Sequence, residues 1–131
     1  MVDSGGKQRL LKWLVGVMGV GDLLFKYWSV SPPRLGEAGG NNAVINLGVS
    51  GGVMVSEWLI GVGLVGILYW YVKERSLGLW MILVGGVANV ASRVVWEGVV
   101  DYWSLFGMFS NNLADYLVVG GVIMIVNQSR R

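Results

Sequence analysis

The sequence predicts an all-α integral membrane protein with four transmembrane helices and a small extracytoplasmic loop/β cradle. Three observations predict it. Apolar residues make up 54% of the 131 positions and charged residues only 14%, where a soluble domain carries about 25% charged residues. Four apolar runs follow one another, at about 10–30, 53–72, 77–96 and 113–126. Lys and Arg cluster at alternate ends of these runs. The whole chain, 1–131, is expected to form a single domain, with outer loops at about 31–52 and 97–112.

A helix of about 20 residues crosses the hydrocarbon core. The first three runs reach that length. The fourth is shorter and needs help from residues 102–110 or a locally thin bilayer. Lys7, Arg9 and Lys12 precede the first run, Lys73 and Arg75 lie between the second and third, and Arg130 and Arg131 close the chain. Only Arg34 falls on the other side. Basic residues stay in the cytoplasm, so both termini are placed there and the two longer loops outside. Trp28, Trp58, Trp96 and Trp103 then gather at the outer boundary, as interfacial aromatics do.

The first run opens with basic residues, as an export signal does, but Asp22 and Lys26 interrupt it and no clean small-x-small site follows. It is read as a retained helix. Residues 31–52 hold Pro32, Pro33 and several Gly and Asn, which suits a loop, with short strands around Ala43 to Leu47. Gly16, Gly19, Gly61, Gly63 and Gly66 are read as positions where helices approach closely.

The chain has no Cys and no His. Thiol nucleophiles, Cys/His zinc sites and a Ser–His–Asp triad are therefore excluded, and no metal or cofactor is expected. Acid–base work falls to Asp, Glu, Lys or Tyr. The net charge of +2, spread over short clusters, does not suit a nucleic-acid partner.

Asp101 follows the third run and Asp115 opens the fourth, 14 positions apart on the outer side. Carboxylates at a bilayer edge are costly. Two of them brought together share a proton: one polarises a water while the other donates to the substrate carbonyl. The alternative is that each caps a helix or marks a loop, and Asp115 suits a helix start. On spacing alone capping is the favoured reading. Asn89 and Arg93 share a helix face, and Arg93 has the reach to hold Asp101, a substrate carbonyl or the interface. Asn112, three residues before Asp115, suits a helix cap. Asp22 and Lys26, four apart, form an intrahelical pair, structural in its simplest reading. A serine–lysine peptidase built on Lys26 with Ser29 or Ser50 is disfavoured, because no spacing singles out a serine. Glu57 and Glu97 are read as facing solvent or headgroups.

At these residues the chain resembles the lipoprotein signal peptidases (signal peptidase II), through nearly its whole length. GDLLFKYW supplies the family's Asp and Lys four apart, Asp22 and Lys26. NLGVSGG resembles its Asn-x-Gly-x-x-Phe-Gly motif at Asn46, Gly48 and Gly52, with Gly51 in the place of Phe. GGVANVASRVVWEGVVDYW follows the third-helix motif at Gly86, Asn89, Arg93, Val99, Val100 and Asp101, with Ser92 in place of Asp. SNNLADYL matches the last motif at Asn112, Ala114 and Asp115, with Asn111 in place of Phe.

The resemblance implies an aspartyl endopeptidase that removes signal peptides from diacylglyceryl-modified prolipoproteins, cutting before the lipidated Cys near the outer face of the cytoplasmic membrane. Asp101 and Asp115 would be the catalytic pair. Asn46, Gly48, Asn89, Arg93, Asn112 and Ala114 would position substrate and support the pair, and Asp22 with Lys26 would hold the helices. The partners would be the prolipoprotein signal peptide and membrane lipids, with the chain a monomer. Two other classes remain: a small four-helix transporter, which predicts polar residues spread through the bilayer depth, and an inactive relative that binds signal peptides.

Overall fold

Four helices and four short strands make up the computed structural model, which describes residues 4–30, 43–47, 56–105 and 109–130. In chain order these are α1 (Ser4–Val30), β1 (Val44–Asn46), α2 (Glu57–Glu74), α3 (Leu77–Trp96), β2 (Val99–Asp101), β3 (Trp103–Leu105), β4 (Phe109–Asn111) and α4 (Leu113–Ser129). The protein is thus mostly α-helical with a small β part.

The helix ends follow from local chemistry. Arg75 takes a left-handed conformation (φ 50°) and closes α2, its N–H donating to the Tyr71 carbonyl at 2.7 Å. Ser76 then caps α3, its Oγ accepting from Leu79 N at 3.2 Å. The two helices are joined by a reversal of only these two residues. Lys12 of α1 ties itself to this turn: its Nζ donates to the Arg75 carbonyl at 2.6 Å, and its own carbonyl accepts from Trp80 Nε1 at 2.9 Å. At the other end of α3, Glu97 is again left-handed (φ 59°) and sends the chain into β2.

The centre of the fold is α3. It packs most extensively on α4, then on α1, and more lightly on α2. Small residues set the α3–α4 distance. A Cβ added at Gly121 would lie 2.5 Å from the Gly78 carbonyl oxygen, and one at Gly85 would lie 2.5 Å from that of Ala114. Backbones this close are how helices associate without a hydrophobic drive between them. The glycines expected to do this work differ in part. Gly19 does meet Val84, but a side chain added at Gly16, Gly61, Gly63 or Gly66 would meet nothing. α2 leans on α3 along one side only, and Gly61, Gly63 and Gly66 fall on its open side; Gly16 lies on α1 away from its neighbours.

Among the described residues, one helix, α3, is long and apolar enough to cross a membrane by itself, and α4 is a shorter apolar helix. This differs from the expectation of four spans, three of them of full length. In α1 the polar residues Asp22 and Lys26 are turned wholly inward, which lowers hydropathy without placing charge on the outside. In α4, 17 residues at about 1.5 Å each give roughly 26 Å against a hydrocarbon core of about 30 Å. The outer faces of α1 and α2 nonetheless carry a belt of exposed large apolar side chains, among them Trp13, Leu14, Val17, Leu24, Leu59, Val62 and Val65. Contiguous apolar surface on that scale marks contact with lipid or protein rather than water.

Most of the loop expected at 31–52 lies outside the described residues, Gly48 with it. Among its described residues one strand, β1, falls within the stretch expected to hold strands. It pairs antiparallel with β2, Val44 opposite Asp101 and Asn46 opposite Val99. The second outer segment is structured: β3 and β4 form a hairpin with Trp103 opposite Asn111 and Leu105 opposite Phe109.

Candidate active site

The two pairings bring the polar residues of distant segments to one place. In the β1–β2 register Asn46 and Asp101 are diagonal neighbours on one face, and Asn46 Nδ2 donates to Asp101 Oδ2 at 3.3 Å. The β3–β4 hairpin carries the chain out and back, so that Asn112 returns beside Tyr102 and Asp101. Asn112 Nδ2 then donates to Asp101 Oδ1 at 2.7 Å.

Asn112 is also the N-cap of α4. Its Oδ1 accepts from Asp115 N at 3.1 Å, and Asp115 Oδ2 accepts from Asn112 N at 3.2 Å, completing a capping box. One asparagine therefore holds both aspartates. The other oxygen of Asp115, Oδ1, accepts from Asn89 Nδ2 at 2.9 Å. Capping and site-building are not exclusive alternatives for Asp115, since each uses a different oxygen.

Behind the aspartates lies a buried ion pair. Lys26 Nζ is 2.7 Å from Asp22 Oδ2, and both side chains are fully buried. Lys26 also donates to Asn89 Oδ1 at 2.7 Å, so Asn89 connects the ammonium of α1 to the carboxylate of α4. Asp22 Oδ1 accepts from Ala114 N at 3.1 Å and from the Tyr102 hydroxyl at 2.7 Å. A buried pair is costly unless further hydrogen bonds complete it, and both partners have them. Of the serine–lysine alternative, Lys26 is engaged by Asp22 and Asn89, and Ser50 lies outside the described residues.

Asp101 is only 2% exposed. Burial pushes its carboxyl above the ordinary carboxylate range. The Asn112 hydrogen bond opposes this, the charge of Asp115 adds to it, and Asn46 and Lys26 oppose it more weakly. The Tyr102 hydroxyl is raised as well, by burial first and then by its bond to Asp22. It stays a neutral donor.

Asp22, Lys26, Asn46, Asn89, Asp101, Asn112, Ala114 and Asp115 are thus joined in one hydrogen-bonded network. Arg93 sits half-buried one turn beyond Asn89 on α3. Two residues escaped sequence reasoning. Tyr102 is one; its only signal was a hydroxyl next to Asp101. Ser92 is the other. It is fully buried, donates to the Gly98 carbonyl at 3.0 Å and accepts from Val100 N at 3.0 Å. Where an Asp was expected, this serine clamps the turn that presents Asp101.

The chain resembles, over 94% of its length and 87% of the other's, the solved structure described as "Bacterial membrane enzyme structure by the in meso method at 2.3 A resolution". The TM-score is 0.71 at 20% identity, a likeness of fold. Comparison with the curated proteins finds no match. The family model described as Signal peptidase (SPase) II matches residues 14–130, a stretch that contains every polar residue of the network, and the chain belongs to the signal peptidase II family.

Proposed function

We propose that the protein is an intramembrane aspartyl endopeptidase that removes the signal peptide from diacylglyceryl-modified prolipoproteins, cutting before the lipidated Cys. Asp101 and Asp115 are the catalytic pair. The observation that carries this reading is Asn112, whose side chain and backbone bind both carboxylates at once. The charge of Asp115 favours the protonated form of Asp101. Asp101, raised by burial, is suited to keep a proton for the scissile carbonyl oxygen. Asp115 is suited to polarise the attacking water. The water adds to the carbonyl carbon, its proton passes to the pair, and the C–N bond breaks as that proton reaches the leaving amine.

In the same reading all four helices cross the cytoplasmic membrane with both termini inside, and the β segments form a cradle at the outer face. The partners are the lipidated signal peptide and the surrounding lipid, and the enzyme works as a monomer without nucleic acid. Asn46, Asn89 and Asn112 hold the carboxyls, Arg93 and Gly48 serve the substrate, and Ala114 fixes the start of α4 through Asp22. The transporter alternative loses ground, because the polar network gathers at one end of the bundle rather than through its depth.

The test uses purified protein and a diacylglyceryl-modified prolipoprotein peptide. Wild type should cleave it, and Asp101→Asn and Asp115→Asn should each lower kcat by about 10³-fold or more, as loss of a group acting within a catalytic unit does. Cleavage that survives either substitution excludes the aspartyl mechanism. No turnover by wild type favours the inactive, signal-peptide-binding relative.

A further inference from the structure

We infer that Tyr102 is a positioning residue whose hydroxyl sets the separation of Asp101 and Asp115. The inference rests on the aspartyl peptidase reading above and assigns a role in it to a residue outside the motifs.

The geometry begins at the first turn of α4. Helix starts leave N–H groups without partners, and here the first three are each taken by a different side chain. Leu113 N donates to the Tyr102 hydroxyl at 3.0 Å, Ala114 N to Asp22 Oδ1 at 3.1 Å, and Asp115 N to Asn112 Oδ1 at 3.1 Å. The Tyr102 hydroxyl in turn donates to the same Asp22 oxygen at 2.7 Å. It therefore lies between α1 and the helix that carries Asp115.

Tyr102 is also the residue bonded directly to Asp101. One peptide unit thus fixes one carboxylate, and one hydroxyl six atoms out along the ring fixes the start of the helix bearing the other. Its ring is rigid and held on both sides, stacked on Phe25 at 5.6 Å and edge-on to Trp103 at 5.3 Å. A short flexible side chain at this position would leave the spacing loose. A phenylalanine would keep the ring and release α4.

Catalysis by a carboxyl pair depends on both groups reaching one water, and a misplacement of about 1 Å can cost about a hundredfold in rate. Removal of the hydroxyl should therefore act on kcat. Binding of the peptide, which needs no particular separation of the carboxyls, should change little.

The experiment measures kcat and KM on the diacylglyceryl prolipoprotein peptide, per folded enzyme, with folding followed by thermal melting. Tyr102→Phe should lower kcat by about tenfold to a hundredfold with KM within about twofold. Phe25→Leu, which loosens one side of the ring and leaves both hydroxyl bonds in place, should lower kcat less than Tyr102→Phe does. A second pair of variants does not touch the tyrosine. Leu113 is the first helical residue, where proline is tolerated, and Asn112 before it is extended, as a residue before proline prefers. Leu113→Pro removes the N–H that Tyr102 accepts and puts the ring Cδ in its place, so that the hydroxyl can no longer sit against the start of α4, and Leu113→Ala controls for the lost side chain. Leu113→Pro should have the lower kcat. A role confined to stability would lower the melting temperature and leave kcat per folded enzyme unchanged.

The inference is overturned if folded Tyr102→Phe keeps wild-type kcat, if Phe25→Leu lowers kcat as much, or if Leu113→Pro matches Leu113→Ala. Should Tyr102→Phe not fold, the Leu113 pair decides. Inactive Asp101→Asn and Asp115→Asn beside a fully active Tyr102→Phe would overturn this inference alone. Cleavage by either aspartate variant would instead remove the peptidase reading, and this inference with it.

Discussion

Asp101 is poorly placed for stability, and that position has a measurable consequence. A carboxyl whose pKa is raised by folding binds its proton more tightly in the fold than in the unfolded chain. Its stabilising contribution is complete below the unfolded value of 3.8 and is lost as pH rises through the folded value. Asp101→Asn keeps the size of the protonated side chain and cannot ionise. Its amide replaces one of the two oxygens that accept from Asn46 and Asn112, a cost that does not depend on pH. In detergent, the melting temperature of Asp101→Asn relative to wild type should therefore rise between pH 4 and pH 8. A difference that stays flat over that range, or falls, would contradict the burial argument. At this scale much of the site was legible in the sequence. Asp22 and Lys26 pair across one helical turn, and Asn112 stands where a cap of α4 must stand. What could not be read was Ser92, because its partners are backbone groups of Gly98 and Val100 beyond the end of its own helix. Tyr102 was hidden for the same reason, with its hydroxyl partners 80 and 11 positions away.

Among the elements, α3 was the plainest, because its apolar run starts at a Ser cap and ends at Trp96. The strands were harder. Three-residue strands carry too little alternation to be seen in the sequence, and β2 is buried along its whole length. The glycines divide by surroundings that the sequence does not print. Gly63 and Gly121 both sit in apolar helical runs, yet a Cβ at Gly63 meets open space and one at Gly121 meets the Gly78 carbonyl at 2.5 Å. The same substitution should thus have opposite signs. Gly63→Ala removes backbone freedom from the unfolded chain and should stabilise by about 0.5–1 kcal/mol. Gly121→Ala forces two backbones apart and should cost about 1–3 kcal/mol, with activity falling because α4 carries Asp115. Thermal melts of the two alanine variants side by side would decide it. Equal shifts would mean that α3 and α4 are not in close backbone contact.

For the whole molecule, charge and cradle point the same way. The basic clusters of the N-terminus, the α2–α3 turn and the C-terminus fall at one end of the helices, while β1 to β4 and the polar network fall at the other. Hydropathy and charge count separate α3 from the rest, because Asp22 and Lys26 weigh against α1, the charged ends of α2 (Glu57, Lys73 and Glu74) weigh against it, and α4 is short. The proposed orientation therefore rests on the arrangement of charge. The absence of Cys from the chain makes this directly testable with single cysteines. Ser104 of β3 and Ser129 at the end of α4 are both exposed. In intact cells a membrane-impermeant maleimide should label Ser104→Cys and leave Ser129→Cys untouched until the membrane is opened. Both variants should keep peptidase activity, since neither residue takes part in the network around Asp101 and Asp115. Labelling of both from outside, or of neither, would mean that α4 does not cross. Labelling of both would leave the carboxyl pair at the outer surface with the C-terminus beside it, whereas labelling of neither would put the pair on the cytoplasmic side, away from the outer surface where a lipid-anchored signal peptide presents its bond.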